Sequence, residues 1–232
     1  MIDFYGLTSP NVQKIFIMLE ECGLQYKFIP VDVWAAAQHT TDFSKINPNK
    51  KIPAIVDHDG PGGKPYTVFE SGAILMYLAE KTGKFLPKDM AKKYDVIQWL
   101  FIQVAGVGPA FGNFTHFNLF APKQGNEYSY SRYKTEMLRL YDLIEERLGK
   151  VKYLGGNEYS IADMACYPWI VPHAAHGQDL GQFPHLRRWF ETIRARPATA
   201  RTYAGVEDVY ARTPALSADA RRVLFGSAAT AP

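Results

Sequence analysis

The apolar positions change their spacing near residue 88. Before it, short apolar runs alternate with helical periodicity; after it only the helical period remains. Ile2–Gly6 predicts a short strand. Ser9-Pro10 then offers a helix cap with proline in the first turn, and Val12, Ile15, Phe16, Leu19 and Cys22 recur at helical spacing up to a Gly23 stop. Tyr26–Val33 predicts a second strand, so the strand–helix–strand unit is a parallel crossover. A short helix around Asp42–Ile46 follows. Strands at Ile52–Asp57 and Tyr66–Phe69 flank the hairpin connection DHDGPGGKP, and Ser71–Thr82 is a helix closed by Gly83.

Beyond residue 88 four helices are predicted. Tyr94, Ile97, Phe101 and Val104 mark the first, kinked at Gly106–Pro109. Tyr130, Tyr133, Met137, Leu140, Tyr141, Ile144 and Leu148 mark the second. Ser160 with Asp163 resembles a capping box opening the third. Leu186, Trp189, Phe190 and Ile193 mark the fourth, ended by Pro197. From Thr202 the tail is alanine-rich, with a short helix at Ser217–Leu224. The expectation is an α/β domain of thioredoxin type over residues 1–84, an all-helical domain over 88–200, and a tail over 201–232.

Composition changes this picture little. A net charge of +3 is too small to argue for nucleic acid or a membrane as the partner. The basic stretch Arg187–Arg201 reads as a solvated face whose cations complement a helix end. MIDFYG lacks the basic and apolar regions of a signal peptide, and no apolar run reaches ~18 residues. Cys22 and Cys166 are far apart, without CxxC or zinc spacing, and read as inert core thiols of a reducing cytoplasm. No metal site is expected.

Three places carry candidate chemistry. Glu70-Ser71 opens a helix, where free N–H groups and the dipole favour an anion; read alone it is either such a site or a plain cap. Pro53 has no amide to give a sheet and stands at a strand entrance, as a boundary or as something more. Ser9 is a helix cap or a hydroxyl donor, with Thr8 as the adjacent alternative. Tyr5 lies inside the first strand and reads as core or domain interface rather than catalyst.

A thioredoxin-like domain followed by helices, carrying KIPAIVDHDG, FESGAILMYLAEKTG and YSIADMACYPW, resembles the cytosolic glutathione transferases. TSPNVQK at Thr8–Lys14, PNKKIPAIVDH, QWLFIQVAGVGP and SRYKTE are most similar to the bacterial nu class of disulfide-bond reductases. RRVLFG in the tail is similar to some relatives too. The resemblance implies a homodimer that binds glutathione, one or two per subunit, as co-substrate. It implies a cis Ile52–Pro53 bond, with the Ile52 backbone pairing the cysteinyl unit, and Lys51 and Gln38 near the glycyl carboxylate. Ser71 would hold the γ-glutamyl carboxylate and Glu70 the amine. Ser9, where the class has threonine, and Asn11 would act on the thiolate. Arg132 would hold a second glutathione; otherwise it is a surface arginine. The FGNFTHFNLF segment would line the acceptor side, or serve as helical core or dimer contact, and His116 is a weak candidate.

Three readings follow: reduction of small disulfides, conjugation of glutathione to electrophiles, or a regulatory protein that kept the fold. Lowering a thiol from about 8.5 to about 6.5 requires roughly 2.7 kcal/mol of preference for the thiolate. A helix terminus (~0.3–1 kcal/mol) and one or two charge-assisted hydrogen bonds (~1.5–3 kcal/mol each) are enough.

Overall fold

The computed structural model describes residues 1–122 and 124–212, with Arg222 and Phe225. The tail helix expected at Ser217–Leu224 lies outside the described residues, Arg222 apart. Contacts divide the chain into two units: Met1–Lys84 together with the segment from Arg196, and Phe85–Ala195.

In the first unit, β1 (Ile2–Gly6) alternates buried and half-buried residues, as a strand with one covered face must. It pairs in parallel with β2 (Tyr26–Pro30) and antiparallel with β3 (Ala54–Asp57), which pairs antiparallel with β4 (Tyr66–Phe69). The sheet order is β2-β1-β3-β4. Helix α1 (Pro10–Cys22) makes the parallel crossover. Its Phe16 meets Phe4 edge-on at 4.7 Å, and Gly23 ends it in the left-handed conformation at φ 66°. β2 is shorter than the predicted Tyr26–Val33. Val31 N–H makes one more bond to Gly6, and the Asp32 carboxylate then turns the chain by accepting from Trp34 and Ala35. β3 likewise begins at Ala54, after Pro53, rather than at Ile52. Helix α2 (Thr41–Ile46) is short, and α3 (Ser71–Thr82) packs on α1.

The end of the chain differs most from expectation. Pro197 opens a helix, α9 (Pro197–Arg212), instead of merely closing the one before it. It sits in the first turn, where its missing amide costs nothing. α9 packs along α1, so a segment read as helical-domain end and tail groups with the first unit. The arginines there are not simply solvated. Arg196 forms a bidentate pair with Glu21 at 2.5 and 2.9 Å, and Arg201 bonds Glu20 at 2.7 Å.

The second unit is helical. Where the sequence predicts a kink, α4 (Met90–Ile102) passes into a π turn at Gln103–Val107 before α5 (Gly108–Thr115), and a second π turn spans His116–Phe120. Pro109 has no amide for the regular ladder, and Gly108 N–H reaches back to Gln103 instead. Helices α6 (Glu127–Lys150), α7 (Ile161–Ile170) and α8 (Pro184–Arg194) complete the bundle. Its core holds Leu100, Phe111, Phe114, Leu140, Tyr141, Ile144 and Trp189. Phe111 stacks on Tyr141 at 5.0 Å, so Phe111 and Phe114 are structural, while Phe117 and Phe120 are only half-buried. Asp163 forms the capping box by accepting from Ser160 N–H and Oγ, and it also accepts from Leu154 N–H and Trp189 Nε1.

His176 is buried in this core. Its Nδ1 lies 2.9 Å from the Tyr141 hydroxyl, and the Phe111 ring meets it edge-on. Burial first, and His173 second, push its pKa down to about 4. The unfolded chain therefore takes up a proton near pH 6.5 that the folded chain refuses until about pH 4. Stability from this residue is present at neutral pH and lost as pH falls through that window, by about 2 kcal/mol at about pH 5. Urea midpoints across this range in His176→Gln check it, since the variant should lack this increment of the pH slope.

Candidate functional site

In the first unit, two helix N-termini and a strand entrance carry the predicted residues. Ser9 caps α1 with its Oγ 3.4 Å from Val12 N–H, a long bond that leaves the hydroxyl half-exposed. Asn11 is half-buried, and its amide makes no hydrogen bond among the described residues. Thr8, the alternative hydroxyl, is buried. Tyr5 packs on Phe43, as expected of core, and burial raises its pKa.

At α3 the plain-cap reading does not hold. Glu70 occupies the cap position but makes no side-chain cap bond, and its backbone stands at φ 67°, uncommon for a residue with a Cβ. Asn49 Nδ2 donates to its carboxylate at 3.2 Å instead. Ser71 and Gly72 are buried, yet their amide N–H groups have no acceptor among the described residues. A buried, unpaired donor is costly, and two converging at a helix N-terminus suit an anion.

The structure adds a residue that sequence reasoning missed. Lys14 of α1, only 1 % exposed, donates through Nζ to Ser71 Oγ at 3.2 Å. A buried lysine thus stands beneath the α3 N-terminus and ties it to the helix of Ser9 and Asn11. The signal was a lysine inside VQKIFIML, an otherwise apolar stretch.

The Ile52–Pro53 bond is cis. Ile52 N–H and C=O pair with nothing among the described residues, and the preceding Lys51 carbonyl is held by Asn47 Nδ2 at 2.6 Å. The Lys51 side chain is exposed. Gln38 lies in a 3-10 turn, buried, with its Oε1 unpartnered. Arg132 belongs to the second unit, on α6, where its exposed guanidinium lies 3.9 Å from Glu136. That distance and exposure leave it available.

Cys166 is buried, as expected. Cys22 is only half-buried, its Sγ 3.6 Å from Thr82 Oγ1, and burial raises its pKa, which makes it a poor thiolate. Among the described residues no group of three His, Cys, Asp or Glu side chains could hold a metal, and no helix is long and apolar enough to cross a membrane.

The arrangement offers buried amides and a lysine for one anion, an unpaired peptide unit for an extended backbone, and neutral donors at a second helix N-terminus. Comparison with known proteins points the same way. Residues 8–81 match the glutathione S-transferase N-terminal domain and residues 107–197 the C-terminal domain. The disulfide-bond oxidoreductase YfcG of Escherichia coli is 48% identical over 86% of this chain and 93% of its own. A glutathione transferase family member from Pseudomonas fluorescens, solved with two glutathione bound, is 40% identical, with a TM-score of 0.81 over 87% of this chain and 91% of that one. A glutathione transferase from Pseudomonas putida, solved with one glutathione disulfide per subunit, is 38% identical, with a TM-score of 0.81 over 87% and 90%. The chain belongs to the glutathione S-transferase family.

Proposed function

We propose that the protein is a glutathione-dependent disulfide-bond reductase acting on small disulfides. The observation that carries the reading is the pair of buried, unpartnered amides at Ser71 and Gly72 with Lys14 beneath them, one helix away from neutral donors that need no protein thiol. In this reading the γ-glutamyl carboxylate sits on the Ser71 and Gly72 amides, and Glu70 takes the amine. Ile52 pairs its peptide unit with the cysteinyl residue as an added strand. Lys51 and Gln38 meet the glycyl carboxylate. Ser9, rather than the buried Thr8, and Asn11 donate to the sulfur.

The chemistry balances without a cysteine of the enzyme. One glutathione thiolate attacks the substrate disulfide, forming a mixed disulfide and releasing one substrate thiolate. A second glutathione thiolate attacks the glutathione sulfur of the mixed disulfide, forming oxidised glutathione and releasing the other substrate thiolate. The two protons lost by the glutathione thiols end on the two product thiols. Arg132 holds the second glutathione by its carboxylates. A relative solved with two glutathione and another solved with their disulfide support this stoichiometry. The chain acts as a homodimer in the cytoplasm. Met90, Tyr94 and Phe101 along α4 and Val104 in the π turn after it, all exposed, give the apolar face that a second copy covers.

Turnover of hydroxyethyl disulfide beside chlorodinitrobenzene tests the reaction. Activity on the aromatic chloride with none on the disulfide would convert the reading into that of a conjugating transferase. Calorimetry should count two glutathiones per chain in the wild type and one in Arg132→Ala, with a dimer mass by sedimentation. One site in both proteins would remove the second glutathione from the mechanism.

A further inference from the structure

Gln13 is a polar residue where the fold asks for an apolar one. It lies on α1 between Val12 and Ile15, both fully buried, and is itself 4 % exposed. A buried carboxamide is tolerated only where its donor and acceptor are both satisfied. Here they are. Nε2 donates to the Thr8 carbonyl at 2.9 Å, and Oε1 accepts from the Tyr203 hydroxyl at 2.8 Å.

These partners give the chain of bonds a direction. The Thr8 carbonyl can only accept, so the NH2 of Gln13 must face it; Oε1 is left for Tyr203, which must donate. The Thr8 carbonyl is not a neutral anchor. It shares one rigid peptide plane with the nitrogen of Ser9, and in a trans peptide the Ser9 N–H points opposite to it. Fixing the carbonyl toward Gln13 therefore aims the Ser9 N–H away from the core. That N–H has no acceptor among the described residues. Tyr203 is itself held in place, because α9 is fastened along α1 by the Arg196–Glu21 and Arg201–Glu20 pairs.

We propose that Gln13 and Tyr203 are positioning residues for the glutathione thiolate: α9 sets the Thr8–Ser9 peptide plane through them, so that Ser9 presents both its N–H and its hydroxyl to the sulfur. α9 lies almost wholly beyond residue 197, where the family match ends. The inference rests on Ser9 and Asn11 being the thiolate donors. It adds that their aim depends on a helix contributed by the far end of the chain.

The test reads the thiolate itself. Full-length protein saturated with glutathione is titrated with pH, following the far-ultraviolet absorbance of the bound thiolate, in wild type, Tyr203→Phe, Gln13→Met and the double variant. Tyr203→Phe keeps the ring and loses only the hydroxyl. It should move the midpoint up by about half a unit, and Gln13→Met by about one unit. Because the bonds act in series, the double variant should match Gln13→Met rather than the sum. Calorimetry should find glutathione affinity within about threefold of wild type in Tyr203→Phe. A Tyr203→Phe midpoint within about 0.2 unit of wild type overturns the proposal, whatever happens to its melting temperature. That variant decides the matter even if Gln13→Met fails to fold. Ser9→Ala and Asn11→Ala run beside it. If neither moves the midpoint, the reading of the site has failed; if they move it and Tyr203→Phe does not, only the positioning role has.

Discussion

Asn11→Ala should lower kcat for hydroxyethyl disulfide by about ten- to a hundredfold while the Kd for glutathione stays within about threefold. The split follows from where the residue stands. Asn11 is in the first turn of α1, half-buried, with a side-chain amide that bonds nothing among the described residues. Its removal leaves no protein group orphaned, so the fold has little to lose. In the proposed mechanism what is lost is one donor to a developing and departing sulfur charge, worth ~1.5–3 kcal/mol when the partner is ionised. In the proposed site the affinity for glutathione rests elsewhere, on the α3 amides, Lys14 and the Ile52 peptide. Steady-state kinetics with calorimetry on the same preparation give both numbers. Unchanged turnover would take Asn11 out of the mechanism and leave the thiolate to Ser9.

Asp163→Ala should cost ~3–5 kcal/mol of stability, read as the shift in urea midpoint at constant slope. Four donors converge on this carboxylate: Leu154 N–H at 2.8 Å, Ser160 N–H and Oγ at 3.0 Å each, and Trp189 Nε1 at 2.8 Å. Truncation strands all of them in a site where Asp163 and Trp189 are fully buried. Burial raises the Asp163 pKa, and its donors draw it back only in part. Asp163→Asn should lie between, since the amide keeps one acceptor oxygen but turns an N–H toward donors. A loss below about 1 kcal/mol in Asp163→Ala would mean that water replaces the carboxylate, and that the motif holds the loop less firmly than its geometry implies.

Local chemistry was what the sequence carried well. The Ser160–Asp163 box, the glycine ends of α1 and α3, and the short strand of β1 all depend on residues a few positions apart. The same holds for the grouping of Ser9, Asn11, Ile52 and Ser71 in one unit, because the thioredoxin-like order of elements fixes it. Hidden were the bonds between residues distant in the chain. Lys14 meets Ser71 across 57 positions and Gln13 meets Tyr203 across 190, and neither leaves a periodic trace. Helix α9 was misread for a related reason: its alanines and arginines describe a solvated tail until Glu20 and Glu21 are placed opposite them. The strand limits failed where Pro53 withdrew a donor from the ladder and where Asp32 offered the backbone other bonds.

The π turn at Gln103–Val107 works as a phase setter. A π turn holds one residue more than the α turn it replaces, and each residue of an α-helix advances the azimuth by about 100°. With that residue removed, everything beyond Val107 would rotate by roughly that angle about the helix axis. Phe111 would leave Tyr141, and the small surfaces of Gly108 and Gly112 would turn from the Trp169 ring they now face. The second half of this long helix thus takes its facing from an insertion, and chains of this family that differ in length by a single residue there would show a different wall to whatever lies beside it.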